Sequence, residues 1–430
     1  MNWIKDNKVV LTDTEIFESS GKGTGLRFTK DNVSGIVLRV PKDLLIDAKH
    51  VSTWSKDSKY LNGEYLDFMR ASLEWLKSEK DIIVLFMALL ASQGSSDMSG
   101  YVSSLPKAKE MDQPWSWPEN EIFDSLKGTS LLMACVHKQS HVLARYEAIV
   151  GKKGGEKLVS EQLFQLAEQW VVSRSLEIPE SPGSDNLALT MVPVLDYVNH
   201  SPRANCRFDV NNGDVVLVVD EGVSVFAGDE VFINYGPGKS AAEFLFCYGF
   251  IDSAHGVTKS ITLETPLMLS MDEIDPEYLI NNPDCDPELK SMILKFHSYG
   301  ARSRLIKLEA LNDDEDIIAK VDCDWLWMLT LPVEDLKIDE TTAAAEFKGK
   351  PLVRTKTVSE QLKHILGDDL DEYMTQTSSM KEDIGDYVGH LVREVFIPQL
   401  QIEAKSSHPM AELLRQKEKS FLESIDDIEV

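Results

Sequence analysis

The sequence predicts an α+β protein: two strand-forming regions enclose a helical insertion, and a separate, all-helical region follows. Three observations lead there. Apolar residues alternate with period two near the start of the chain and again beyond residue 190. Between these stretches they recur every three or four residues, and beyond Ser253 the same helical spacing runs to the end. A chain of 430 residues is also too long for one compact core and suits two or three domains.

In order, "GKGTGLRF" and "SGIVLRVP" read as strands separated by turns, with Ile36, Leu38 and Val40 facing one side. Lys59 to Ser92 is helical. Its run from Ile82 to Ala91 is too short to span a bilayer and reads as a buried helix. "LPKAKEMDQPWSWPENEIF" is a long connection entering a helix at Glu119, and "SEQLFQLAEQWVVSRSL" is a helix with Ser160 as its N-cap. Strands return after Pro182. "CRFDVNNGDVVLVVDEG" is a hairpin turning at Asn-Asn-Gly, and "GDEVFINYG" adds a strand with Val231, Ile233 and Tyr235 on one side. "PELKSMILKFHSYGARSRLIKLEAL" and "SEQLKHILGDDLDEYM" read as helices, and "NDDEDII" as a solvated acidic segment. The expected divisions are residues 1–92, an insertion over 93–185, a return over 186–253, and a helical domain over 254–430.

Hydrophobic content of 43% and charged content of 27% are those of a folded soluble protein. The formal net charge of −27 excludes general binding to a phosphate backbone, so no nucleic-acid partner is expected. It suits a basic polypeptide partner, and serves solubility equally well. Five scattered cysteines without a C-x-x-C pair suggest neither zinc nor a disulfide framework, so no metal is expected and a reducing compartment is. Residues 1–20 lack the apolar core of a signal peptide. A monomer in the cytoplasm, with the nucleus open as a second location and no membrane contact, is the expectation.

Two segments and one residue carry chemistry. "VPVLDYVNHSPRANC" brings Asp196, Asn199 and His200 to the end of an apolar stretch, although Asn-His-Ser-Pro is also ordinary turn chemistry. "GKGTGLRF" is neither a P-loop nor a dinucleotide fingerprint, because its glycines at 21, 23 and 25 lead into a strand. Bared backbone for a ligand and a plain surface turn both remain open there. Arg174 follows Leu163, Ala167 and Trp170 at 4-3-4 spacing, which puts a guanidinium on an apolar stripe. It needs an anion, either a structural carboxylate or a ligand's.

"GKGTGLRF", "LDYVNHS" and "VFINYGPGKSAAEFLFCYGF", in that order, resemble the three signatures of SET-domain protein methyltransferases. The insertion and the C-terminal region narrow the likeness to the branch of the Rubisco large-subunit lysine methyltransferase. That branch also holds ribosomal-protein lysine methyltransferases and the actin-histidine methyltransferase. Motifs cover about Glu15 to Ser253, and architecture the rest. The resemblance implies a pseudoknot in which the Asn-His segment is threaded beneath a later one, and S-adenosyl-L-methionine as cofactor. It implies cofactor contacts from Lys22, Gly23, Thr24, Gly25, Leu26, Arg174, Asn199, His200 and Tyr235, with Tyr235 also catalytic. Asp196, Val198, Ile233 and Tyr248 would line the substrate side. The sequence departs from the family at Lys22, where an acid is common, and at Ala241, where the family's S-N-A-E has Asn. The expected activity is methylation of lysine in a protein, with a ribosomal or translation protein as a fitting client. A histidine-directed enzyme and a non-catalytic SET-fold binding module are the alternatives.

Overall fold

The computed structural model describes residues 2–19, 23–180, 184, 186–252, 260–264, 305–311, 317–322, 336–338, 345–351, 363–376, 380–401 and 408–429. The chain divides into two compact units, Met1–Phe123 with Met133–Gly256, and Asp124–Leu132 with Val257–Val430.

In the first unit, β1 (Val10–Leu11), β4 (Ile36–Val40), β9 (Asp214–Val219) and β8 (Cys206–Asn211) form an antiparallel sheet in that order. The β8–β9 hairpin turns at Asn212 and Gly213, both at positive φ (54° and 90°), as the Asn-Asn-Gly sequence demands. A second hairpin joins β2 (Thr14–Ser19) to β3 (Gly23–Phe28), and a third joins β5 (Ser175–Pro179) to β6 (Leu187–Met191). The strand β5 starts before Pro182, directly where the preceding helix ends.

The helices are α1 (Asn2–Asp6), α2 (Ala48–Asp57), α3 (Gly63–Leu73), α4 (Glu79–Gln93), α5 (Ser99–Val102), α6 (Glu119–Leu126), α7 (Leu131–Ile149), α8 (Glu161–Arg174) and α9 (Ala241–Tyr248). All of Ile82–Leu90 in α4 is buried, so this helix is apolar on every face and forms the centre of the unit. Ser78 caps it at the N-terminus, and Gly94 ends it in the left-handed region. Packed on α4, α8 starts where Ser160 accepts a hydrogen bond from the Leu163 amide at 3.2 Å. Ser240 and Glu243 form a capping box at the start of α9. Ala241, which follows that cap, is buried and brings no polar side chain to it. Gly249 closes α9 at φ 81°, and a Cβ there would lie 2.7 Å from the Asp112 carbonyl carbon.

The second unit corrects the all-helical expectation. Ser260–Glu264, Leu305–Ala310, Ile317–Asp322 and Ile425–Glu429 form a four-stranded sheet, with the last strand parallel to its neighbour. The physical reason lies in the alternation of Leu305–Ala310: Ile306 and Leu308 are buried while Lys307 and Glu309 are exposed. Ile317, Ala319 and Val321 repeat that alternation, so the end of the supposed acidic segment is a strand. The residues called helical before Leu305 lie outside the described ones. Helical structure does hold over Leu370–Gln376, Met380–Leu391 and Pro409–Glu423. Against the last of these, Glu418 accepts from the backbone and side chain of Ser130, and Arg415 donates to the carbonyls of Ser125 and Lys127.

Among the described residues no helix is long and apolar enough to cross a membrane, and no cluster of side chains could hold a metal ion.

Candidate active site

The site is built where three segments of the first unit cross. The strand β7 (Asn199–His200) pairs in parallel with β10 (Phe232–Ile233), in the register Asn199–Phe232 and His200–Ile233. On the other edge of the same segment, the Val231 amide donates to the Leu26 carbonyl at 2.7 Å and the Phe28 amide to the Asp229 carbonyl at 2.9 Å. Asn205 then locks the crossing: its Nδ2 donates to the Glu230 carbonyl, and its Oδ1 accepts from the Phe232 amide, both at 2.8 Å. Residues 229–233 are therefore held between β3 and the 199–205 segment.

Asn199 and His200 are each used by this crossing. Asn199 Nδ2 donates to Glu230 Oε1 at 2.7 Å and more weakly to the Thr24 carbonyl at 3.4 Å. That leaves its carbonyl oxygen as the acceptor. Glu230 also accepts from the Ser19 hydroxyl at 3.0 Å. Gly25 sits against this pair, since a Cβ there would be 2.9 Å from Glu230 Oε1 and 3.1 Å from Asn199 Nδ2. Gly23, at φ 76°, has nothing within 4 Å of such a Cβ, so its backbone is open on that side. His200, 5% exposed, accepts from the Tyr235 amide through Nδ1 at 3.1 Å. Its proton is therefore on Nε2, 3.9 Å from Asp252 Oδ2.

Tyr235 donates its hydroxyl to the Val198 carbonyl at 2.8 Å. Burial pushes that hydroxyl up to about 12, so it stays protonated at neutral pH. Its ring lies 4.7 Å from that of Tyr248 and 5.2 Å from that of His200. Phe244 and Phe250 complete an aromatic cluster around these three. Val198 and Ile233 are buried beside the crossing.

Asp196 follows a strained turn. Val194, a β-branched residue, is held at φ 74° and ψ −37°, a conformation that costs energy and persists only where its surroundings impose it. Asp196 Oδ2 accepts from the Tyr101 hydroxyl at 2.7 Å, while Oδ1 is buried without a hydrogen-bond partner. Burial raises this carboxyl to about 6 even though Arg174 and Tyr101 pull it down. Arg174, half-buried at the end of α8, donates to Ser173 Oγ at 2.7 Å and forms no salt bridge among the described residues. Its neighbour Ser175 has a buried hydroxyl without a hydrogen-bond partner. An unpaired guanidinium and two unsatisfied buried oxygens close together in sequence or charge are what a protein leaves for a polar ligand.

The structure thus brings together Thr24, Gly25, Leu26, Asn199, His200, Ile233 and Tyr235 by hydrogen bonds, strand pairing or close approach, and Gly23 precedes Thr24 on the same strand. Val198 and Tyr248 join through Tyr235. Arg174 and Asp196 join by charge, since both act on Tyr235. Lys22 lies outside the described residues. Sequence inspection missed Glu230 and Tyr101. An acid at the head of an apolar strand was the available signal for Glu230; the Tyr101 contact spans 95 residues and leaves none.

The threaded strand pair and the hairpin facing it define a SET-domain fold of the Rubisco large-subunit methyltransferase type. The solved SET domain of LSMT bound to lysine and AdoHcy has this fold, with a TM-score of 0.62 at 19% identity over 99% of this chain and 88% of that one. A family model described as cytochrome c lysine N-methyltransferase 1 matches residues 134–283. SET domain-containing protein 8 of Schizosaccharomyces pombe is 26% identical over 274 residues, 61% of this chain and 59% of that protein. Cytochrome c lysine N-methyltransferase 1 of Kluyveromyces lactis is 37% identical over 106 residues, 23% of this chain and 21% of that protein. The chain therefore matches less than two thirds of the length of these curated relatives.

Proposed function

We propose that this chain is an S-adenosyl-L-methionine-dependent protein-lysine N-methyltransferase. The observation that carries the proposal is Arg174: a half-buried guanidinium with no ion pair among the described residues, near enough for its charge to act on Asp196 and Tyr235. Its planar fork suits the carboxylate of an amino-acid ligand. The residues around it fit such a ligand: the Asn199 carbonyl oxygen is left as an acceptor for an ammonium group, and the Gly23 backbone is open to close approach. When bound, S-adenosyl-L-methionine supplies a sulfonium methyl group as electrophile.

The chain's own residues then have definable tasks. A lysine amine attacks only when neutral, and its unperturbed pKa is about 10.4. The aromatic walls of Tyr235, Tyr248 and Phe244 would desolvate the ammonium form and favour loss of its proton to water. Asp196 would offer its unpartnered Oδ1 to an amine N–H, orienting the lone pair toward the methyl. Tyr235, fixed by its hydrogen bond to Val198, holds its oxygen lone pairs where they can face the transferring methyl and the amine. With its hydroxyl raised to about 12, Tyr235 serves as an oriented dipole rather than a proton acceptor.

For the client, the net charge of −27 favours a basic protein. The matching family and the Kluyveromyces lactis relative are named for cytochrome c, which makes that protein the first to test. A ribosomal or translation protein is the second candidate, and a soluble monomer in the cytoplasm is the proposed setting. Incubation with labelled S-adenosyl-L-methionine and purified cytochrome c, alongside a whole-cell extract, should label a basic protein on lysine. S-adenosylhomocysteine should raise the melting temperature, and Arg174→Ala should lose most of that rise while remaining folded. No shift for the wild type at millimolar ligand overturns the proposal.

A further inference from the structure

Tyr101 lies in α5, within the helical insertion, and its side chain is fully buried. Its hydroxyl reaches Asp196 Oδ2 at 2.7 Å and is the one side-chain donor to that carboxylate among the described residues. The opposite face of the ring is covered: Trp3 of α1 stacks on it with centroids 5.8 Å apart and planes 23° apart. Trp3 is itself held by a hydrogen bond from Nε1 to the Asp97 carbonyl at 2.6 Å. Gly100 permits that contact, since a Cβ there would fall 2.6 Å from Trp3. Next to Asp196, Tyr197 shares a hydrogen bond of 2.6 Å with Ser104. The 97–104 segment is thus docked on residues 196–197 through two tyrosine hydroxyls, and one of them ends on the site.

We infer that Tyr101 is a positioning residue: it anchors one oxygen of Asp196 so that the other, unpartnered, faces the amine, and it keeps Asp196 ionised at working pH. This rests on the methyltransferase reading for its catalytic consequence, but not for the coupling between the two side chains. The groups acting on Asp196 are Arg174 from α8, the Tyr101 hydroxyl from α5 and the backbone amides of Val194 and Asp196, while the Tyr197 and Tyr235 hydroxyls, raised in part by its charge, stay neutral. Arg174 alone is charged, and it is not within salt-bridge distance. Burial opposes ionisation; the charge of Arg174 is the largest support for the carboxylate, and the Tyr101 hydroxyl, the next largest, is the one that touches it through a side chain. An Asp196 that protonated more readily would lose its negative charge and could turn an O–H donor toward the amine.

The test is Tyr101→Phe, which keeps the ring under Trp3 and removes one oxygen. The ionisation of Asp196 is read as the carboxylate infrared band lost in Asp196→Asn. In Tyr101→Phe that titration should move up by about one pH unit. The acid limb of kcat/KM should move with it, at unchanged affinity for S-adenosylhomocysteine. Ser104→Ala, which frees Tyr197 and leaves Asp196 alone, should move neither. If the phenylalanine variant does not fold, 3-fluorotyrosine at position 101 keeps the hydroxyl as a stronger donor, and the titration should fall by a few tenths of a pH unit. A titration unmoved in Tyr101→Phe, or moved equally by Ser104→Ala, overturns the inference. If the titration moves but no variant, nor the wild type, transfers methyl groups, the positioning stands and the methyltransferase reading falls.

Discussion

Two buried carboxylates of the first unit, Glu168 and Asp196, have opposite surroundings. Glu168 on α8 has no exposed side-chain surface and meets three cations: Lys80 at 2.6 Å, Arg145 Nη1 at 2.8 Å, and Lys138. Arg145 is further paired with Asp81. Burial pushes Glu168 up, but the three cations outweigh it and hold the carboxyl at about 2. Lys138 in turn is lowered to about 8 by burial, against the pull of Glu168. Asp196 has one hydroxyl, one distant guanidinium and an oxygen with no partner, and it rises to about 6. The first arrangement is complete without a ligand, and the second is not. A protein satisfies its structural charges and leaves functional ones short of partners, so incompleteness distinguishes the site from the scaffold.

The largest effect expected from this contrast is on stability. Glu168→Gln leaves three partly buried cations without their common anion and should destabilise the first unit by about 3–5 kcal/mol, read from urea unfolding. Asp196→Asn, at a half-buried residue outside any salt bridge, should cost less than about 1 kcal/mol at neutral pH while removing methyl transfer. Equal losses for the two substitutions would erase the distinction.

pH sharpens it. A carboxyl lowered by folding, as Glu168 is, contributes stability above its ordinary value of 4.5 and loses it as pH falls toward about 2. One that is raised, as Asp196 is, binds its proton more tightly in the folded state, so stability falls as pH rises from 3.8 to about 6. Relative to Asp196→Asn, the wild type should lose about 2–3 kcal/mol between pH 4 and pH 7. A difference that is flat, or that grows with pH, contradicts the assigned environment.

The second unit offers an independent check. Burial raises Glu418 to about 7, although Ser130 and Arg415 oppose the rise. The stability of the Pro409–Glu423 helix should therefore fall from pH 5 to pH 8 by about 2 kcal/mol. Glu418→Gln, which keeps an acceptor for Ser130, should flatten that slope in hydrogen exchange at Phe421 and Leu422. A slope that survives the substitution assigns the pH sensitivity to another group.

The elements legible in the sequence were those set by short-range pattern: the β8–β9 hairpin from Asn-Asn-Gly, α4 from its apolar run, and the cap at Ser160. The site was legible in part because Asn199, His200 and Tyr235 lie within ordered motifs. What decides its electrostatics was not. Tyr101 reaches Asp196 across 95 residues, and Asn199 reaches Glu230 across 31, through packing that no local spacing encodes. The strands of the second unit were misread because the Leu305–Ala310 segment also satisfies three- and four-residue spacing with Leu311. Tertiary pairing, including the parallel pairing of Ile317–Asp322 with Ile425–Glu429, decides such short runs.

The smallest change is the most direct test of the central claim that this incomplete site performs methyl transfer. Tyr235→Phe removes one oxygen, held 2.8 Å from the Val198 carbonyl, and keeps a ring packed against Tyr248 and His200. Single-turnover methylation of the client that the labelling experiment yields should slow at least about tenfold, roughly 1.4 kcal/mol of barrier. The Kd for S-adenosylhomocysteine should stay within about twofold, because the hydroxyl acts on the transferring group rather than on the bound cofactor. A variant that methylates its client at the wild-type rate contradicts the account.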